Sequence, residues 1–141
     1  MYNILLLPLI AGILAQILKF FIASNKQKFS AKNLLAYSGM PSGHTAMVIS
    51  LAVIIGLEDG WHSPVFSLAV VFAIIVIRDA LGIRQYLGQH GKALNILVKD
   101  LKEDLDEKYP HQLERIGHTP MQVLAGGILG FAISVFGYFI F

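Results

Sequence analysis

The chain alternates long apolar runs with short polar connections. Four runs stand out: residues 4–23 (20 residues, broken by Gln16 and Lys19), 45–57 (13), 64–77 (14) and 121–141 (21). A helix needs about 20 apolar residues to cross a bilayer. The first and last runs qualify as they stand. The middle two are short unless their polar ends are counted. Extended to 42–57 and 61–83, they are read as spanning helices in preference to a re-entrant hairpin. Between the third and fourth runs, Leu94, Leu97, Val98, Leu101 and Leu105 recur at helical spacing, with Lys99, Asp100, Lys102, Glu103 and Asp104 among them. That pattern predicts an amphipathic helix, lying on the bilayer or capping the bundle. The expected fold is all-α. It is an integral-membrane helical bundle of about four transmembrane helices plus the amphipathic helix, one domain over 1–141.

Composition agrees. The 141 residues are 55% hydrophobic and 14% charged, where a soluble domain carries about 25% charged residues. Mean hydropathy is +0.64. The net charge of +2 gives no reason to expect nucleic acid. The absence of cysteine rules out disulfides, thiolate catalysis and Cys-ligated metals. The first run lacks a basic leader and is too long for a signal-peptide core, so it reads as a retained helix.

Charge in the connections sets an orientation. The first loop holds Lys26, Lys28 and Lys32; the third holds Arg84, Lys92, Lys99, Lys102, Lys108 and Arg115. The second, Glu58-Asp59-Gly60-Trp61-His62-Ser63, has no Lys or Arg. Excess Lys and Arg mark the cytoplasmic side of a cell membrane. Loops one and three are therefore expected inside and both termini outside. Gly126, Gly130 and Ser134 form a small-residue stripe for close helix packing, within one chain or in a homodimer.

Candidate chemistry gathers on the same side. In Ser38-Gly39-Met40-Pro41-Ser42-Gly43-His44-Thr45-Ala46, Pro41 sets a turn and Ser42 is a good N-cap. Gly43 permits close approach to the backbone. A helix N-terminus is an anion site, and His44 places a titratable group beside it. Lys19, Arg78, Asp79, Arg84 and His118 fall at similar depth at neighbouring helix ends. Singly, each has a plain reading: Lys19 snorkelling, Arg78–Asp79 an interfacial pair, Arg115 a topology charge, His118 a cap. His62, His90 and His111 read as loop residues. Together they form a plausible phosphate pocket, because ionisable residues at membrane depth mark functional sites by default.

Pro41-Ser42-Gly43-His44 resembles the second signature of the type 2 phosphatidic acid phosphatases, the superfamily that includes vanadium haloperoxidases. The wider pattern is similar to its divergent branch of small membrane proteins. The matching pieces are Gln16 to Lys19, Gly39 to Ala46, Asp79 to Arg84, Gly88-Gln89, Leu94-Asn95, and Gly117-His118-Thr119-Pro120 to Val123 and Gly126. In the first signature only Lys19 carries over; Lys26 and Gln27 stand where Arg and Pro are expected. In the third, His118 aligns with the nucleophile, Gln112 stands at the Arg position and Gln122 at the Asp position. Arg84, then Arg115, is the candidate substitute cation. Four residues apart, His118 and Gln122 are expected to share a helix face, with Gln122 accepting the ring N–H but bringing no charge.

The resemblance implies hydrolysis of a phosphomonoester or diphosphate without metal or cofactor. His118 would attack phosphorus, and His44 would protonate the leaving group. Lys19, Ser42, Gly43 and Arg84 would bind the phosphate, with Gln122 and Asp79 in support. A pocket at the membrane face favours a phosphorylated lipid. The alternative is a non-catalytic relative that binds such a lipid or acts as a scaffold or assembly factor. A transporter or channel subunit has only buried charge in its favour.

Overall fold

The computed structural model describes residues 2–22, 39–100, 109–114 and 116–140. The loop lysines 26, 28, 32, 102 and 108, together with Gln27, Leu101, Leu105 and Arg115, lie outside them. Among the described residues are five helices: α1 (Tyr2–Phe21), α2 (Gly43–Glu58), α3 (Pro64–Leu81), α4 (Ile83–Asp100) and α5 (Pro120–Ile140).

The boundaries follow local chemistry. Gly39 takes φ +124°, a region glycine enters without penalty, and leads the chain into α2. Ser42 caps α2, its hydroxyl accepting from the Thr45 amide. Gly60, at φ +93°, turns the chain after α2. Ser63 then caps α3, accepting from the Phe66 amide at 3.1 Å with Pro64 in the first turn. At Gly82 the chain breaks helix and restarts as α4, so the amphipathic helix begins earlier than its leucine pattern implied.

Asn3–Phe21, the apolar part of Pro64–Asp100, and Pro120–Ile140 are long and apolar enough to cross a membrane. The fourth expected span, α2, has 16 residues, or about 24 Å. It is the central helix, packed against α1, α3 and α5. Its length is short of the ~30 Å hydrocarbon core, but its flanks are covered by protein, where backbone groups need no lipid-spanning geometry.

The packing is that of a membrane bundle. Large apolar side chains on the outer faces are open, Leu68 at 69% and Phe136 at 69%, while small residues fill the seams. Buried polar groups pair across helices: Ser134 donates to the Ser50 carbonyl at 2.9 Å, and the two hydroxyls lie 2.7 Å apart. A side chain on Gly126 would sit 2.4 Å from the Ser42 carbonyl, and one on Gly130 2.2 Å from that of Ala46. The stripe expected to serve packing within or between chains is thus occupied by α2 of the same chain. The face proposed for a homodimer through Gly126 and Gly130 is buried. Gly127, on the neighbouring face, has only Ile49 and Thr45 near, at 3.9 and 4.0 Å.

These contacts predict a contrast. Gly130→Ala should lower stability by about 1–3 kcal/mol through overpacking, whereas Gly127→Ala should leave it unchanged. Thermal unfolding of the two variants in detergent checks this.

Candidate functional site

Four helix ends meet at one end of the bundle. The Ser42 amide donates to the Gln122 carbonyl at 3.0 Å, joining the start of α2 to the first turn of α5. The His118 amide donates to the Ala80 carbonyl at 3.1 Å, joining the approach to α5 to the last turn of α3. Lys19, in the last turn of α1, acts electrostatically on both His44 and His118.

His118 is the most constrained residue of the group. Its amide is held by Ala80, and its carbonyl accepts from Gln85 Nε2 at 2.6 Å. Gly117 permits this approach, since a side chain there would meet Gln85 at 2.6 Å. The residue is 1% exposed, yet neither ring nitrogen has a hydrogen-bond partner among the described residues. Burial, then the charges of Lys19, His44 and Arg84, pushes its pKa down to about 4. The ring is therefore neutral near pH 7, with one nitrogen lone pair free to act as a nucleophile or acceptor.

Around it stand cations. Lys19 is 3% exposed and does not snorkel outward. Arg84, in the first turn of α4, donates from Nε to Asp79 Oδ2 across the Gly82 break. Asp79 thus pairs with Arg84, not with the exposed Arg78. His44 lies within electrostatic reach of Arg84, Lys19 and Asp79. The amides of Gly43 and His44 occupy the first turn of α2, where a helix supplies no acceptor, and they add the positive end of its dipole. The Ser42 amide, in contrast, is taken by Gln122. Its hydroxyl oxygen accepts from both the Thr45 amide and the Thr45 hydroxyl. A side chain at Gly43 would meet Gln16 at an ordinary 3.7 Å, so packing against α1 does not demand glycine there.

One expectation is corrected. His118 and Gln122 do not share a helix face, because α5 begins at Pro120 and His118 precedes it. Gln122 instead forms a capping box with Thr119: its Oε1 accepts from the Thr119 amide at 3.0 Å, and its own amide donates to Thr119 Oγ1 at 3.3 Å. Its support of the site is local, through the cap and through its carbonyl bond to Ser42. Gln112, at the signature's Arg position, is exposed and donates its side chain to the Pro110 carbonyl. Arg84 acts electrostatically on both His44 and His118.

The sequence reading missed how His118 is delivered. Residues 109–114 and 116–118 run along α4 as a strap. A side chain at Gly88 would lie 2.4 Å from the Glu114 carbonyl, and one at Gly91 2.7 Å from that of Leu113. One turn on, the Asn95 amide group donates to the Gln112 carbonyl at 3.0 Å, and its oxygen accepts from the Gln112 amide at 2.8 Å. Gly88, Gly91 and Asn95 fall at i, i+3 and i+7 on one helix face. That spacing puts three small or polar residues along one seam but does not say what packs there. No group of three His, Asp or Glu side chains among the described residues converges as a metal site.

The family model for the Divergent PAP2 family matches residues 2–133, which contain every residue of this cluster. The chain belongs to the Divergent PAP2 family. It is 34% identical to the uncharacterized membrane protein YuiD of Bacillus subtilis (strain 168), over an alignment covering 96% of this chain and 94% of the relative. No solved structure matches the chain. The strap along α4 gives a physical reason for the Gly88 and Asn95 pieces of the sequence pattern.

Two outcomes are expected. By NMR, the His118 imidazole should stay neutral as pH falls from 7 to 5, and inorganic phosphate should raise its titration midpoint by placing anionic charge beside it. Gly88→Ala should displace the strap, cost about 1–3 kcal/mol and return the His118 midpoint toward its ordinary value of about 6.5 as the ring gains water.

Proposed function

We propose that this cluster binds the phosphate of a phosphorylated membrane lipid and hydrolyses it through a phosphohistidine. The observation that carries the reading is the buried, neutral His118 ring with unpartnered nitrogens, facing Lys19, His44, Arg84 and the start of α2. A ring nitrogen attacks phosphorus, forming the P–N bond as the bond to the ester oxygen breaks. His44, protonated beside the bound phosphate dianion, gives its proton to the departing oxygen. Lys19, Arg84 and the Gly43 amide hold charge on the non-bridging oxygens. Water then attacks phosphorus and gives a proton to His44 as the P–N bond breaks, and phosphate leaves with His118 neutral and His44 protonated again. The Lys and Arg content of loops one and three supports a site at the cytoplasmic face of a cell membrane, with both termini outside.

A second reading has its own support. No carboxylate hydrogen-bonds the His118 ring among the described residues, and Gln122 is committed to its cap. Such a site suits a non-catalytic member that binds a phosphorylated lipid or serves as a scaffold.

The detergent-purified protein should release phosphate from phosphatidate or an isoprenyl diphosphate and trap an acid-labile phosphoenzyme. His118→Ala should abolish both. His44→Ala should slow alkyl ester hydrolysis by roughly 10²–10⁴-fold, the usual contribution of a general acid, and spare an aryl phosphate whose leaving group needs no proton. Orthovanadate binding without any turnover selects the binding reading.

A further inference from the structure

An apolar groove of about 420 Å³ opens beside the cluster. Thr45 and Ile49 of α2 form its floor, Ile77 of α3 lines one wall, and Val123, Gly127 and Phe131 of α5 line the other. We propose that it holds one hydrocarbon chain of the phosphorylated lipid, entering sideways from the leaflet that contains the site.

The groove begins at the polar cluster. Thr45 is buried and its hydroxyl donates to Ser42 Oγ at 3.0 Å, so the groove's inner end is one residue from His44 and one hydrogen bond from the α2 cap. Val123 adjoins Gln122, which holds the Ser42 amide. From Val123 to Phe131 the groove follows α5 for about 12 Å. Half of a ~30 Å hydrocarbon core is about 15 Å. The groove therefore reaches through most of one leaflet and stops near the midplane, where a lipid of that leaflet would end. Its outer rim is open to the bilayer, with Ile128 at 63% and Phe131 at 53% exposed.

Gly127 keeps it open. Gly126 and Gly130 are spent on contact with α2, but a Cβ at Gly127 would meet the groove floor among the described residues at an ordinary 3.9 Å from Ile49 and 4.0 Å from Thr45, so a larger residue there would project into the groove. At this depth the surrounding medium is hydrocarbon, and only a molecule with a phosphate at one end and a chain at the other satisfies both the cations and the groove.

The headgroup half of this inference rests on the phosphate-site reading; the chain half does not. The probe is a long-chain monoalkyl phosphate bearing a mid-chain diazirine, photolysed with the full protein in detergent and mapped by mass spectrometry. Adducts are expected on Ile128 and Phe131. Gly127→Leu should reduce them at least about tenfold, the loss of a few buried methylene contacts, and leave inorganic phosphate binding unchanged. Should Gly127→Leu fail to fold, Ile128→Trp on the open rim fills the same space. Adducts spread over all outer faces and indifferent to both variants overturn the groove. So does an adduct that disappears as the protein dimerises, which would assign the groove to a second copy. Adducts confined to the groove but unaffected by excess phosphate or His118→Ala retain the groove and overturn the phosphate site.

Discussion

The site depends on a histidine whose backbone is fully engaged and whose ring is not. The amide of His118 is fixed to Ala80 and its carbonyl to Gln85, so the end of α3 and the start of α4 define its position. A buried polar group left without a partner costs about 1–3 kcal/mol. The cost is borne at a point braced from three directions: the α3 terminus, the strap along α4, and the capped start of α5. Relaxing any of these would let the ring rotate or hydrate, and its pKa would climb back toward its ordinary value. The same bracing serves either functional reading, because a receptor for phosphate and a nucleophile both need a ring held ready and dry.

The helices can supply that bracing because they approach closely. Without a hydrophobic drive between helices in lipid, association relies on small residues and interhelical hydrogen bonds. Gly126 on Ser42, Gly130 on Ala46 and Ser134 on Ser50 meet turn by turn, so α5 is registered against α2 along its length. That register brings the Gln122 carbonyl to the Ser42 amide. The cap of one helix thereby becomes a fixture of the next, and the two helix starts reach the same depth. The small residues also explain how a 16-residue α2 can lie at the centre: its neighbours shield it from lipid.

Much of this was legible in the chain. Hydrophobic run length located four of the helices to within a few residues, because lipid-facing segments must be apolar throughout and punctuation by Ser42, Ser63, Gly82 and Pro120 is strong. The second signature pointed to His44 and the third to His118, and the fold brings the two within electrostatic reach of each other. Two features were not legible. The spacing of His118 and Gln122 looked helical, yet Thr119 and Gln122 pair as a cap and exclude His118 from the helix; a four-residue interval carries no information about where a helix starts. The strap was also hidden. Its grip comes from main-chain carbonyls of Leu113 and Glu114 lying against Gly88 and Gly91, and backbone contact leaves little trace in side-chain chemistry. The side of the membrane rests on loop lysines that lie outside the described residues.

The departures from the superfamily pattern become coherent once charge is placed in space. The Arg position of the third signature falls on the strap, where Gln112 is exposed and tied to Asn95 and Pro110. The described arginine that acts on both histidines lies instead on α4. Arg84 is set by Asp79 across the Gly82 break, so the carboxylate that fixes it belongs to the helix that also binds the His118 amide. Lys19 approaches from α1, and both cations act on both histidines. Asp79 is the carboxylate that acts on His44 among the described residues, so positive charge exceeds negative at a depth where charge is costly to bury. Under the reading proposed above, a dianionic phosphate would sit against Lys19, Arg84 and the start of α2, with the Asp79 pair holding Arg84 in place.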